Sequence, residues 1–372
     1  MMRFEIGAID GTARTGSLAT SHGVVRTPAF MPVGTRGTVK MVDTRDLAEA
    51  GVQMVLANTY HLMLRPGEHV VCDLGGLHSF MGWDAPILTD SGGYQIFSLD
   101  ANVTEEGVEF RSSYDGSRVE LTPEDAVGIQ ENLGSDIAMI LDVLIGLPAP
   151  REDVRYAMER TLRWSARAVR VHEREDQALF GIVQGGTDPE LRKKSAAMTA
   201  SLGFDGFGIG GLSVGEPEAD RNHAIEVVVA ELPEDRVRYT MGLGDTKGML
   251  DGVVRGVDLF DCVWPTRLAR HGKVLTSIGD YSIRRAEFKR SDGPLDPNCD
   301  CRTCRAHSRG YLRHLFLTGE PTGLRLLTLH NLAYTASLMA QVRESIESGE
   351  LESFRRATLA ARVSTQSEDS LA

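Results

Sequence analysis

The chain has 372 residues, 42% of them hydrophobic, and a formal net charge of −12. That length and apolar content can bury a large core and exclude a fibrous or disordered chain, while the acidic balance excludes nonspecific coating of nucleic acid. No apolar run approaches the roughly 20 residues that span a bilayer, and Met1-Met2-Arg3-Phe4-Glu5 does not open a signal peptide, so a cytoplasmic protein with no membrane partner is expected.

Residues 3–27 alternate around Gly7, Gly11, Gly16 and Gly23, which marks antiparallel hairpins and sets off residues 1–28 as an N-terminal region. From 29 to 280 the rhythm changes. Apolar runs end near Gly34, Asn58, Asp90, Asp142, Gln184, Gly211, Met241 and Asp261, eight in all, and most are followed by a helix signal. Thr122-Pro123-Glu124 and Asp188-Pro189-Glu190 each supply a capping side chain, proline at the first helical position and an acid in the first turn. Between these two starts, Val154, Met158, Leu162, Trp164, Ala168 and Val171 recur close to a 3.6-residue period, which predicts a long surface helix over 150–173. Eight buried strands alternating with helices are the pattern of an α/β (β/α)8 TIM barrel, with a doubly wound open sheet as the rival. The barrel is preferred because acids and glycines recur at the carboxyl ends of successive strands, where barrels build their sites.

Asp261 is the central candidate. It ends the run Val257-Asp258-Leu259-Phe260, and Arg267, Arg270, His271 and Lys273 follow. From Trp264 to Arg290 there are seven Lys or Arg against two acids, Asp280 and Glu287, a local basic margin suited to an anionic substrate. Asp90 ends another strand ahead of Ser91-Gly92-Gly93, and such glycines let backbone approach a ligand. Asp142, Gln184 with Gly185-Gly186, and Gly210-Gly211 repeat the arrangement. Two carboxylates on one rim can cleave at a sugar's anomeric carbon, one attacking and one moving the leaving group's proton.

Past residue 280 the barrel rhythm stops and a small zinc-binding subdomain with closing helices is expected over 281–362. Five cysteines, three of them in Cys299-Asp300-Cys301-Arg302-Thr303-Cys304, do not make a disulfide framework; with a histidine they suit a closed tetrahedral zinc site. His307, His314 and His330 compete for the fourth position. Arg302, Arg305, Arg309 and Arg313 are spaced to lie along one helix side, as a solvated face or a phosphate-tracking ridge. Residues 363–372 are small, polar or acidic and are expected to be disordered.

Taken together, Thr89-Asp90-Ser91-Gly92-Gly93-Tyr94-Gln95, Gln184-Gly185-Gly186, Gly210-Gly211-Leu212-Ser213-Val214-Gly215-Glu216, Phe260-Asp261-Cys262-Val263 with Pro265-Thr266-Arg267, and the cysteine cluster with His330 resemble the bacterial-type tRNA-guanine transglycosylases, from about Phe4 to Ala361. The resemblance implies a barrel with an inserted zinc subdomain that exchanges the wobble guanine of tRNA anticodons for a 7-deazaguanine on the route to queuosine. It makes Asp261 the nucleophile and Asp90 the general acid and base. Asp142, Gln184, Gly211 and Leu212 recognise the base, with Tyr94 and Met241 stacking on it, and Arg267 and Arg270 contact tRNA. One structural Zn2+ falls to Cys299, Cys301, Cys304 and His330, and a homodimer is implied. The chain departs from the common pattern at Asp142-Val143-Leu144, where Asp-Glu-Cys is usual, so the incoming base is either 7-aminomethyl-7-deazaguanine or queuine. A noncatalytic RNA-binding subunit of the same fold is the alternative; the presence of both acids disfavours it.

Overall fold

The computed structural model describes residues 2–99 and 101–369. The chain opens with three antiparallel strands, β1 (Arg3–Asp10), β2 (Ala13–Thr20) and β3 (Gly23–Thr27), joined as two hairpins. Three parallel strands come next, β4 (Ala29–Gly34), β5 (Val55–Asn58) and β6 (Ile87–Asp90). A small antiparallel sheet, β7 (Asn102–Val103), β8 (Val108–Arg111) and β9 (Arg118–Leu121), then interrupts the alternation. Five more parallel strands complete it: β10 (Ile137–Met139), β11 (Ala178–Val183), β12 (Gly206–Ile209), β13 (Val237–Thr240) and β14 (Leu259–Cys262). β14 pairs with β4, so the eight parallel strands close into a barrel and the open-sheet rival is excluded. All eight expected strand ends lie at or within three residues of the ends of these strands.

Local chemistry fixes the helices where the sequence places them. Thr122 Oγ1 accepts from the Asp125 amide at 3.1 Å while the Asp125 carboxylate accepts from the Thr122 amide at 2.9 Å, a reciprocal cap on helix Pro123–Leu133. Asp188 Oδ1 accepts from Glu190 and Leu191 amides, both at 3.0 Å, at the start of Pro189–Ala200. Helix Arg151–Val171 buries Val154, Met158, Leu162 and Ala168 against the barrel.

The hairpins plug the amino end of the barrel. Leu18 and Val25 are fully buried in one core with Phe180 and Phe260. Two acids standing just before barrel strands anchor the plug. Asp258 takes Arg14 Nε and Nη2 at 2.9 and 2.6 Å and the Arg238 amide at 2.8 Å, with both side chains of the Arg14–Asp258 pair out of solvent. Asp136 accepts from the Ile87 amide at 2.8 Å and meets His22 Nδ1 at 2.9 Å and His78 Nε2 at 3.0 Å. His22, His78 and Asp136 are close enough to suggest a cation site, but the two imidazoles stack 3.5 Å apart at 14°. Rings so nearly parallel cannot both hold one ion in their planes, so the trio is an anchoring network.

After β14 the chain makes helix Trp264–Arg270, then a hairpin of β15 (Lys273–Val274) and β16 (Tyr281–Ser282) across the boundary expected at residue 280. Short helices Arg302–Ala306 and Arg309–Leu317 pack with Val274, Phe288 and Leu327 in a second, smaller core. Helix Pro321–Glu347 then packs along β4 and the hairpins and takes the eighth outer position of the barrel. The small layer is therefore inserted between the last strand and its helix.

Two expectations change. The arginine ridge does not exist as one face, because the helix breaks at His307 and three of its four members are engaged: Arg302 pairs with Asp46 and Glu49, both at 2.9 Å, Arg309 lies over the Tyr281 and Phe288 rings, and Arg313 donates to the Arg285 carbonyl. The tail expected to be disordered from residue 363 continues as helix Leu351–Asp369, with no proline or glycine to stop it. Residues 370–372 lie outside those described.

The Arg14–Asp258 pair yields a stability prediction. Arg14→Met strands a buried carboxylate and should lower the unfolding free energy in urea by about 3–5 kcal/mol. Adding Asp258→Asn removes the stranded charge and should recover part of that loss; a double variant no more stable than the single would refute the account.

Candidate active site

A cavity of about 450 Å³ opens at the carboxyl ends of the barrel strands. Asp90 and Asp261, 171 positions apart in sequence, both line it, with Asp142, Tyr94, Met241 and Arg267. Gly211 and Leu212 form part of the same wall. The volume suits a nucleoside-sized ligand.

Each acid is held by donors from its own strand end or the adjacent one. On Asp90, Oδ2 accepts from Asn58 Nδ2 at 2.6 Å and Oδ1 from the Thr59 amide at 3.0 Å. Asn58 is positioned in turn because its own Oδ1 caps helix Thr59–Leu64. On Asp261, Oδ1 accepts both Tyr239 Oη at 2.6 Å and the Gly242 amide at 2.8 Å. Gly242 sits at φ +74°, where glycine bears no Cβ penalty. Burial raises both carboxyl groups, and the Asp261 charge adds to the effect on Asp90, which is pushed up to about 7. Asp261 rises against the pull of its two donors, and Tyr239 is driven well above the phenol range, so its proton stays on the donating side.

The opposite wall is built from Asp142 and backbone. Asp142, raised to about 6 by burial, accepts from Gln184 Nε2 at 2.6 Å. Two glycines make that pairing possible: a Cβ on Gly93 would stand 2.6 Å from Asp142 Oδ1, and one on Gly211 would stand 2.1 Å from Gln184 Oε1. Behind both loops lies Arg192, fully buried, with no carboxylate hydrogen-bonded to it among the described residues, although the Glu216 charge acts on it. Its guanidinium donates to the carbonyls of Gly186 at 2.6 Å, Val183 at 2.9 Å, Gly210 at 2.7 Å and Gly211 at 3.3 Å, and burial lowers it to about 9.

Of the residues singled out from sequence, Gln184 stands behind Asp142, buried, and not in the cavity wall. Arg270 does not line the cavity; it donates to the Thr266 carbonyl at 3.0 Å. Tyr94 is 62% exposed at the lip and Met241 is half-buried beside Gly208 and Gly210. Sequence reasoning missed Asn58 as a partner of Asp90, Tyr239 as a donor to Asp261, and Arg192. Arg192 carried a signal, since it shares the buried face of its helix with Ser195, Ala196 and Thr199.

Away from the cavity, Cys299, Cys301, Cys304 and His330 bring their ligand atoms within 4.8 Å of one another and can hold a metal ion. Cys301 and Cys304 Sγ lie 3.6 and 3.3 Å from His330 Nδ1. A tetrahedral zinc with ordinary bond lengths requires about 3.6 Å there. His330 Nε2 meets the Leu275 carbonyl at 2.8 Å, which places the ring proton on that nitrogen and leaves the Nδ1 lone pair facing the thiols.

The raised Asp90 carboxyl has a sign that can be measured. Its ordinary value is 3.8 and its folded value about 7, so between them the folded chain binds more protons than the unfolded one and stability falls as pH rises. Asp90→Asn should therefore gain on the parent from pH 4 to pH 8, with an upper bound of roughly 4 kcal/mol. Urea unfolding at several pH values tests this, and a constant difference between the two proteins would refute it.

Comparison with known proteins places this geometry. The family model described as "Queuine tRNA-ribosyltransferase" matches residues 10–364. A queuine tRNA-ribosyltransferase of Desulforamulus reducens is 51% identical over 92% of this chain and 93% of its own length. The proteins of that name from Moorella thermoacetica and Saccharophagus degradans are 51% and 49% identical, covering 91% and 95% of this chain and 92% and 95% of their own lengths. The chain belongs to the queuine tRNA-ribosyltransferase family, and it is a pentosyltransferase.

Proposed function

We propose that the protein is a tRNA-guanine transglycosylase that replaces the wobble guanine of tRNA anticodons with a 7-deazaguanine, 7-aminomethyl-7-deazaguanine or queuine, in queuosine biosynthesis. The observation that carries this is the sharing of one cavity by Asp90 and Asp261 with opposed demands: one oxygen of Asp261 is tied down by two donors, and Asp90 titrates near neutrality. Asp261 Oδ2 attacks the ribose anomeric carbon, forming a C–O ester bond as the C–N bond to guanine breaks. Asp90 gives its proton to the leaving purine. The incoming base then loses its ring N–H proton to Asp90, its nitrogen attacks the same carbon, and the Asp261 carboxylate is released. No redox partner or energy source enters.

The remaining residues take roles that their positions support. Asp142, with the backbone of Gly211 and Leu212, reads the polar edge of the base, and Gln184 joins that recognition from behind Asp142 by holding its carboxylate; an analogue that left these groups unpaired would be rejected. Tyr94 and Met241 stack on its faces, and Arg267 and Arg270 hold the tRNA backbone. Cys299, Cys301, Cys304 and His330 bind one structural Zn2+, with no ligand position left for chemistry. The homodimer packs through the zinc layer, where Tyr311 is 45% exposed and stacks on His307 at 5.4 Å. A cytoplasmic location fits a tRNA substrate and thiols kept available for a metal.

Incubation with unmodified tRNA should give a protein–RNA band that survives denaturing electrophoresis, and Asp261→Ala should lose it; a persisting band would reassign the nucleophile. Asp90→Ala should still bind tRNA but exchange radiolabelled guanine at least 10²-fold more slowly, as expected for loss of a general acid. Chelation or Cys301→Ser should lower the melting temperature of the small layer, and an unchanged melt would mean the thiols hold no structural metal.

A further inference from the structure

The rim of the cavity divides into two halves of different chemistry. β10, β12 and β13 bring Asp142, Gly211 and Met241 to the cavity, the groups suited to a heterocycle, and β11 brings Gln184 behind Asp142. The neighbouring ends of β14, β4, β5 and β6 lead into cations instead. Arg267 follows β14, Arg36 follows β4, Arg65 ends the helix after β5, and the β8–β9 turn in the insertion after β6 brings Tyr114 between them. The Arg36 and Arg65 guanidinium carbons lie 5.4 and 4.7 Å from the Tyr114 ring centre, and Tyr114 Oη meets His61 Nδ1 at 3.1 Å.

This cluster is wired to the cavity. Thr35, the residue before Arg36, lines it. The His61 amide is held by Asn58, whose side-chain nitrogen holds Asp90. Both arginines are exposed, and among the described residues no carboxylate pairs with Arg36, Lys40 or Arg65. The nearby acids are engaged locally: Asp115 accepts from the Ser117 hydroxyl and amide, and Glu68 contacts His69. Burial first, and then the charges of Arg36 and Lys40, press His61 toward its neutral form. In a chain of net charge −12, three unpaired cations gathered beside the cavity are a local reversal of sign.

We infer that Arg36 and Arg65, stacked on Tyr114, form a second RNA-backbone site that continues the arc begun by Arg267 and holds phosphates flanking the nucleotide in the cavity. Guanidinium groups held over a ring face keep N–H edges free for paired hydrogen bonds to phosphate oxygens. A strand following the arc would place its backbone on the β14–β6 half of the rim and direct one base across to the β10–β13 half. The inference rests on the transglycosylase reading and adds to it the path of the RNA.

The test measures tRNA affinity of the whole protein as a function of salt. Each phosphate contact in single-stranded RNA contributes about 0.7 to the slope of log K against log salt, so Arg36→Gln/Arg65→Gln should be shallower by about 1.4 and bind more weakly. Arg118→Gln, an exposed arginine already paired with Glu109, should leave the slope alone. Arg36→Lys/Arg65→Lys keeps the charges without the planar stacking and should keep most of the slope. A parental slope in the glutamine pair, or an equal loss in the lysine pair, would overturn the inference. Failure of the parent protein itself to exchange guanine would sink the transglycosylase reading instead.

Discussion

Two carboxylates enclosed in one desolvated cavity repel each other and resist ionising, and the active rim is organised around making that arrangement stable. Asp90 and Asp261 reach it from strands that are not neighbours, β6 and β14, with β4 and β5 between them. Each is met by one side-chain donor and one backbone amide, Asn58 with Thr59 and Tyr239 with Gly242. The donors lower both carboxyl groups, yet burial outweighs them in each case. Because Asp261 also acts on Asp90, the second proton is harder to remove than the first, and the pair divides naturally into an ionised member and a protonated one. The two carboxyl groups thus differ through their local surroundings and not through residue type.

The wall facing them is made of backbone, and backbone loops need something rigid behind them. Arg192 provides it. A buried guanidinium with only carbonyl partners is costly in isolation, but four carbonyls from two loops supply a negative lining around its N–H fork. The same bonds fix Gly210 and Gly211 against the Gln184 loop, where a Cβ at residue 211 would collide with Gln184. Glycine here removes atoms, arginine supplies the brace, and Asp142 is left oriented toward the cavity by a single 2.6 Å contact.

Much of the fold was legible because its signals are local or periodic. The eight apolar runs, the two proline-started helices and the cysteine spacing each depend on residues close in sequence, and each appears where expected. The β7–β9 sheet was missed although Asp115-Gly116 between alternating apolar residues is a hairpin signal, because it interrupts the strand–helix alternation that guided the reading. Tyr239 was unreadable for another reason: in a buried strand its ring looks like core, and only the position of Asp261, 22 residues on, makes its hydroxyl meaningful. The arginines from 302 to 313 failed in the opposite sense, since their spacing suggested a surface that the break at His307 and the nearby acids Asp46 and Glu49 dismantle.

The cluster of three cysteines and His330 lies outside the cavity, yet a chain of hydrogen bonds leads from it to the cavity wall. His330 sits on helix Pro321–Glu347, and the next residue, Asn331, donates to the carbonyls of Pro265 and Lys273 at 3.0 and 3.1 Å and accepts from the Leu275 amide at 3.0 Å. Leu275 in turn accepts from His330. Pro265 opens the helix that follows Asp261 and carries Arg267 into the cavity wall. One helix thus holds a metal ligand, the outer wall of the barrel and the segment leaving the β14 strand end. A metal held by these four ligands would leave no open position for chemistry and would stiffen this helix, and through Asn331 the segment 264–275 that carries Arg267 into the cavity wall.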